Sequence, residues 1–144
     1  VTIQVLNGAN LGRLGLREPD KYGRTTYAEL VELIESAAAQ LGLQVQVRQT
    51  DDEGQLLRWV YEATDAGHPI VINPGGWSHT SVVLHDALAA TTAPVLEVHL
   101  TNIHRREEFR HFSYVSRVAE GVIAGLGVDG YLLALRWLAA RDHR

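Results

Sequence analysis

The chain has 144 residues, 46% apolar and 21% charged, the composition of one ordered globular domain and not of a disordered segment. Thirteen basic against seventeen acidic side chains give a formal charge of −4, which excludes the strongly basic footprint of a nucleic-acid-binding domain. There is no cysteine, so disulfides, thiolate metal sites, thiol nucleophiles and iron–sulfur clusters are excluded.

Val1 to Leu6 is a short apolar run rich in β-branched residues, which predicts a buried strand ending at Asn7-Gly8-Ala9-Asn10. Residues 11 to about 25 hold glycines, a proline and several charges. This reads as a long loop without regular structure, and such loops usually serve as lids or binding loops. Thr26 and Glu29 have capping-box spacing. Leu30, Ile34, Ala37 and Leu41 then recur on one helical face, with Gly42 as the stop. Leu43, Val45 and Val47 alternate with polar residues, as in a strand. Asp52 and Gln55 can cap a helix whose buried side is Leu56, Val60 and Ala63, ended by Gly67. Ile70-Val71-Ile72 predicts a strand ending at Asn73, broken by Pro74-Gly75-Gly76. A helix from about His79 to Ala90 follows, then a strand over Val95–Leu100. Arg105–Arg110 predicts a short helical turn, Gly121–Ala124 a fifth strand, and Val128–Arg141 a final helix with Leu132, Leu135 and Leu138 apolar. Strict alternation of strand and helix predicts an α/β fold with a parallel sheet covered on both faces. There is no internal repeat, low-complexity segment or linker, so residues 1–144 read as a single domain.

The longest apolar runs fall far short of a membrane span, and no charged-then-apolar leader opens the chain. The expected setting is the cytoplasm, with no membrane or nucleic-acid partner. Twelve of the thirteen basic residues are arginine, and the single lysine, Lys21, sits in a polar turn. A Schiff-base mechanism needs a lysine in a dry pocket, so that chemistry is not expected.

In open parallel sheets, ligands bind beyond the carboxyl ends of the strands. Those ends carry Asn7 and Asn10, then Asn73, Gly75, Gly76, Ser78 and His79, then Glu97, His99, Thr101 and Asn102. Glu97 and His99 are two apart in a strand and so share a face. A carboxylate there raises the basicity of an imidazole and fixes its orientation, as a general acid requires; a solvated strand-end pair has the same spacing. Arg17 and Tyr22 share the long loop. Ionising a tyrosine, of pKa about 10, at pH 7 costs roughly 4 kcal/mol, and a guanidinium can remove much of that. The pair can supply a tyrosinate base, or the tyrosine can simply pack the loop shut. His104, Arg105, Arg106, Arg110 and His111 can bind an anionic ligand or pair with Glu107 and Glu108. Gly125–Gly130 matches G-x-G-x-x-G, but too little chain follows for the acidic ribose ligand of a dinucleotide site. A tight turn and close helix packing account for it. Asp51-Asp52 reads as helix capping, and the histidines lack metal-ligand spacing.

Three segments together closely resemble the type II 3-dehydroquinate dehydratase family, in order and across essentially the whole chain. They are Asn7-Gly8-Ala9-Asn10 with Arg17-Glu18-Pro19 and Tyr22-Gly23; Asn73-Pro74-Gly75-Gly76 with Ser78-His79-Thr80-Ser81; and Glu97-Val98-His99 with Arg106-Glu107-Glu108-Phe109-Arg110. The resemblance implies a flavodoxin-like three-layer sandwich with a five-stranded parallel sheet. It implies the cofactor-free and metal-free anti elimination of water from 3-dehydroquinate through an enolate, in the shikimate pathway of aromatic amino acid biosynthesis. The loop at about 11–25 becomes a lid. Tyr22 matches the base, Arg17 the residue stabilising the tyrosinate, Asn10 the group that with a water stabilises the enolate, His99 the general acid and Glu97 its orienting partner. Substrate contacts carry over to Asn73, His79, Leu100, Thr101 and Arg110, with Asp86 supplied by a neighbouring subunit of a homo-oligomer in which trimers assemble into a dodecamer. Seven residues of helix, about 10.5 Å, separate His79 from Asp86, which fits Asp86 serving another copy's site. Ala9, Trp77, Thr101 and Phe112 depart from the family's usual residues, and none is the matched acid or base. The competing expectations are a flavodoxin-like module for a flavin or phosphate ligand and a non-catalytic assembly protein.

Overall fold

Alternating apolar residues build both faces of one sheet. The structure, a computed structural model, describes residues 1–16 and 18–141. Strands β1 (Ile3–Asn7), β2 (Val45–Gln49), β3 (Ile70–Asn73), β4 (Val95–His99) and β5 (Gly121–Ala124) are all parallel, in the order β2-β1-β3-β4-β5. Side chains alternate across a strand. Ile3, Val5, Val71, Leu96 and Val98 therefore face helices α2 (Tyr27–Gln40) and α5 (Asp129–Arg141), which pack against each other. Leu6, Ile70, Ile72 and Val95 face α3 (Glu53–Ala66) and α4 (Val82–Ala89) on the opposite side. This is the three-layer α/β sandwich expected.

Local signals in the sequence set the helix boundaries. The Thr26–Glu29 capping box opens α2, with both reciprocal bonds formed. Asp52 accepts from Gly54 and Gln55 N–H to open α3, and Gly67, at φ 72°, closes it. The buried stripe of α2 is Leu30, Ile34 and Ala38, with Ala37 half-buried against the same core and Leu41 exposed. Strand β2 starts at Val45 and not Leu43, because Gly42 turns left-handed and Leu43 N–H bonds back to Ala38 O, closing the helix.

Three further expectations are corrected. The segment after β3 is not one helix from His79. Residues Gly75–His79 form a 3₁₀ turn, and α4 starts only after Ser81, whose side chain accepts from Leu84 N–H. The loop at 11–25 is partly ordered: Leu11–Arg13 form a 3₁₀ turn and α1 spans Pro19–Tyr22. Leu11 and Leu14 are buried in the α2/α5-side core and anchor its first half. Beyond β4, three 3₁₀ turns (Ile103–Arg105, Glu108–Arg110 and Val115–Arg117) replace the single helical turn.

The chain runs from β1 outward to β2, then returns across β1 to place β3 on its other side. The connections after β1 and β3 therefore lead to helices on opposite faces of the sheet, which makes the carboxyl ends of these strands the switch point where a crevice is expected.

Candidate active site

The β1 and β3 ends are tied together by close backbone approach. Gly8 N–H donates to Asn73 O at 2.8 Å, and a Cβ at Gly8 would lie 2.4 Å from Pro74 O. Gly75, at φ 62°, passes so close that its Cβ would lie 2.8 Å from Ala9 O. Beyond this contact Asn10 takes the left-handed conformation, φ 74°, that asparagine tolerates better than most residues. Asp51 holds it there, accepting from Asn10 N–H at 2.9 Å and from Gln49 Nε2 at 3.1 Å. Of the acidic pair after β2, Asp52 is the helix cap; Asp51 positions the first loop, a role the capping reading missed.

Glu97 and His99 do share a face, the one turned toward residues 113–116. Glu97 is fully buried, and its carboxylate accepts from His99 Nε2 at 2.5 Å, from Ser113 Oγ at 2.6 Å and from Ser116 Oγ. Burial pushes its pKa up, but these three hydrogen bonds and the His99 charge outweigh that and hold it below the ordinary carboxylate value. His99 is thus fixed through Nε2, leaving Nδ1 as its other ring nitrogen. The His79 ring stacks near it, centroids 6.3 Å apart. His79 Nδ1–H donates to Phe112 O at 2.7 Å. Burial lowers the His79 pKa, reinforced by the charges of His99 and Arg110, so its Nε2 is an acceptor at neutral pH.

A cavity of about 170 Å³ opens where these groups meet. Asn10, Tyr22, Asn73, His79, His99, Leu100, Thr101 and Arg110 line it, and Glu97 lies behind His99. Tyr22 arrives from the end of α1, packed against the same core as Leu11 and Leu14. Arg106 also lines the cavity, with its guanidinium carbon 5.3 Å from the centre of the Tyr22 ring. It donates to Thr101 Oγ1 at 3.3 Å, and its buried Nε has no hydrogen-bond partner among the described residues. The basic cluster signalled a cation near the site without saying which residue; Arg106 is the one against Tyr22. Arg110 pairs with Glu107 at the rim.

Of the described residues expected here, Asp86 is not brought to this cavity. Arg17 lies outside the described residues. Asp86 is on α4, exposed, accepts from His85 Nδ1 at 2.8 Å, and faces a groove with Val82, Phe112, Tyr114 and Arg117. Because His79 and Asp86 are not on one helix, the helical-rise estimate of their separation does not apply. Trp77 packs under the sheet beside Gly8 rather than lining the cavity. The glycine run after β5 turns and packs as expected: Gly125, at φ 92°, abuts Asn102, and Gly130 sits against Val98 and Ile123. Among the described residues no group of three histidines and carboxylates is arranged to hold a metal ion.

The sheet order and a polar cavity at its carboxyl end define a flavodoxin-like α/β protein with a small-molecule site at the switch point. The family model described as Dehydroquinase class II matches residues 1–139. The 3-dehydroquinate dehydratase of Mycobacteroides abscessus is 61% identical over 140 residues, 97% of each chain. That of Salinispora tropica is 61% identical over 139 residues, 96% of this chain and 97% of the relative. The crystal structure of the type II dehydroquinase from Propionibacterium acnes superposes with a TM-score of 0.95 at 52% identity, covering 96% of each chain. This chain belongs to the class II dehydroquinase family.

Proposed function

We infer that this protein dehydrates 3-dehydroquinate to 3-dehydroshikimate, a step of the shikimate pathway, and that residues 1–144 act as one catalytic domain with a lid at about 11–25. The observation that carries the reading is the opposition, across one small cavity, of Tyr22 against Arg106 and of His99 locked onto Glu97.

Removing a proton beside a ketone needs a base and donors aimed at the oxygen where charge develops. Tyr22, as tyrosinate, takes that proton. The Arg106 guanidinium packs over its ring at the cavity, and Arg17 is assigned the stabilisation of the tyrosinate on the family resemblance. Asn10 stabilises the enolate through a water. The enolate then collapses to a carbon–carbon double bond as the neighbouring hydroxyl leaves. Hydroxide is a poor leaving group, so His99 protonates it, and the Glu97 carboxylate stabilises the imidazolium that precedes the transfer. Asn73, His79, the Leu100-Thr101 backbone and Arg110 hold the substrate, His79 Nε2 accepting from a hydroxyl.

Asp86 points away from its own chain's cavity, which supports its serving the site of a second copy in a trimer, four of which form a dodecamer. The exposed Val82 and Phe112 beside it suit a covered face. Cytoplasmic placement belongs to the same proposal; among the described residues no helix is long and apolar enough to cross a membrane.

Tyr22→Phe and His99→Ala test the assignment. Each is expected to lower kcat by at least about 10²-fold, with the circular dichroism spectrum unchanged. A folded variant turning over at near the wild-type rate would remove that residue from its role.

A further inference from the structure

We propose that Tyr131, buried on α5 and outside the cavity, is a positioning residue that sets which way round the Asn73 amide meets the substrate. Asn7 and Asn73 are register partners on β1 and β3, so their amides lie side by side on the same face of the sheet. Both are buried, and Tyr131 is fully buried between them. Its hydroxyl donates to Asn7 Oδ1 at 2.6 Å and accepts from Asn73 Nδ2 at 2.9 Å.

The direction of this chain is fixed at both ends by backbone groups. The Asn7 amide must donate to Arg48 O, at 3.4 Å, which leaves its oxygen toward Tyr131. The Asn73 oxygen must accept from Gly75 N–H, at 3.2 Å, which leaves its nitrogen toward Tyr131. A hydroxyl has one proton, and that proton goes to Asn7. Burial pushes the Tyr131 phenol far above its ordinary pKa, so the proton stays in place. A flipped Asn73 would set its oxygen against a hydroxyl with no proton left to give and its nitrogen against an N–H.

Asn73 therefore keeps its second Nδ2 hydrogen and the second lone pair of Oδ1 for the cavity it lines, each on a side fixed by the Tyr131 and Gly75 contacts. On the Nδ2 side the site offers an N–H to an acceptor oxygen of the ligand. This deepens the dehydratase reading and rests on it, the ligand oxygen being one of 3-dehydroquinate's.

Kinetics of Tyr131→Phe test the proposal, with wild-type turnover measured first. Wild type that does not dehydrate 3-dehydroquinate overturns the dehydratase reading and this proposal with it. Given an active wild type, Tyr131→Phe is expected to raise KM roughly three- to tenfold, the equivalent of one net hydrogen bond, with kcat changed much less. In an Asn73→Ala background the same change is expected to leave KM where Asn73→Ala alone puts it. Unchanged KM in folded Tyr131→Phe, or an undiminished effect without the Asn73 amide, would overturn the proposal. If Tyr131→Phe alone does not fold, Asn7→Leu with Tyr131→Phe replaces both partners by apolar groups, which removes the unsatisfied oxygen. The same KM rise, lost in the Asn73→Ala background, is expected of it.

Discussion

Glu97 is a buried carboxylate kept charged by what surrounds it. Desolvation alone would favour the neutral acid, yet three donors converge on its two oxygens and reverse the preference. The consequence for stability follows from the sign of the shift. A folded pKa below the unfolded value, about 4.3 for glutamate, contributes stability that is present above that value. It is lost as pH falls through the lower folded pKa. Glu97→Gln is expected to lower stability at pH 7 by about 1–3 kcal/mol and to flatten the acid limb of the profile, read by urea unfolding from pH 7 down to 3. A variant profile running parallel to wild type would contradict it. Much at this scale was legible: the two-residue spacing put Glu97 and His99 on one face, and the strand-end rule gathered Asn10, Asn73 and His79. Ser113, Ser116 and Tyr131 were not, because their partners lie 16, 19 and 124 residues away and no local pattern marks so distant a contact. A buried tyrosine does need a partner for its hydroxyl, but only the register of β1 against β3 says which.

Between elements, the site depends on how closely the loops after β1 and β3 pass. Gly8 has a negative φ and owes its identity to space, since its Cβ would overlap Pro74 O. Gly8→Ala must push the two loops apart. It is expected to cost about 1–3 kcal/mol, as overpacking does, and to weaken substrate binding by displacing Asn10 from Asn73. Both are checked by thermal unfolding and KM; a variant matching wild type in each would contradict the close-approach reading. Caps and stops were the best-read features: Thr26, Asp52 and Gly67 act through their immediate neighbours, which sequence displays directly. The segment after β3 was misread because Ser81 competes for the backbone donors of α4 and restarts the helix there. Lid order was underestimated because Leu11 and Leu14 draw their anchoring from a core formed by distant residues.

For the whole molecule, strand–helix alternation predicted the parallel sheet, and the order β2-β1-β3-β4-β5 locates the crevice. The proposed assembly is not legible from pattern, because a face that another copy would cover reads as an ordinary exposed one. If Asp86 completes a neighbour's site, Asp86→Ala and Tyr22→Phe are defective at different sites. Co-refolded mixtures are then expected to regain activity that neither variant has alone. Mixed oligomers as inactive as the separate variants would place Asp86 at its own chain's site and contradict the shared one. The most direct measurement is turnover itself: 3-dehydroquinate added to purified, chelator-treated protein, with absorbance followed in the ultraviolet. The expected result is growth of the conjugated enone acid band, unaffected by prior borohydride treatment in the presence of substrate. A folded protein that produces no band would contradict the dehydratase assignment.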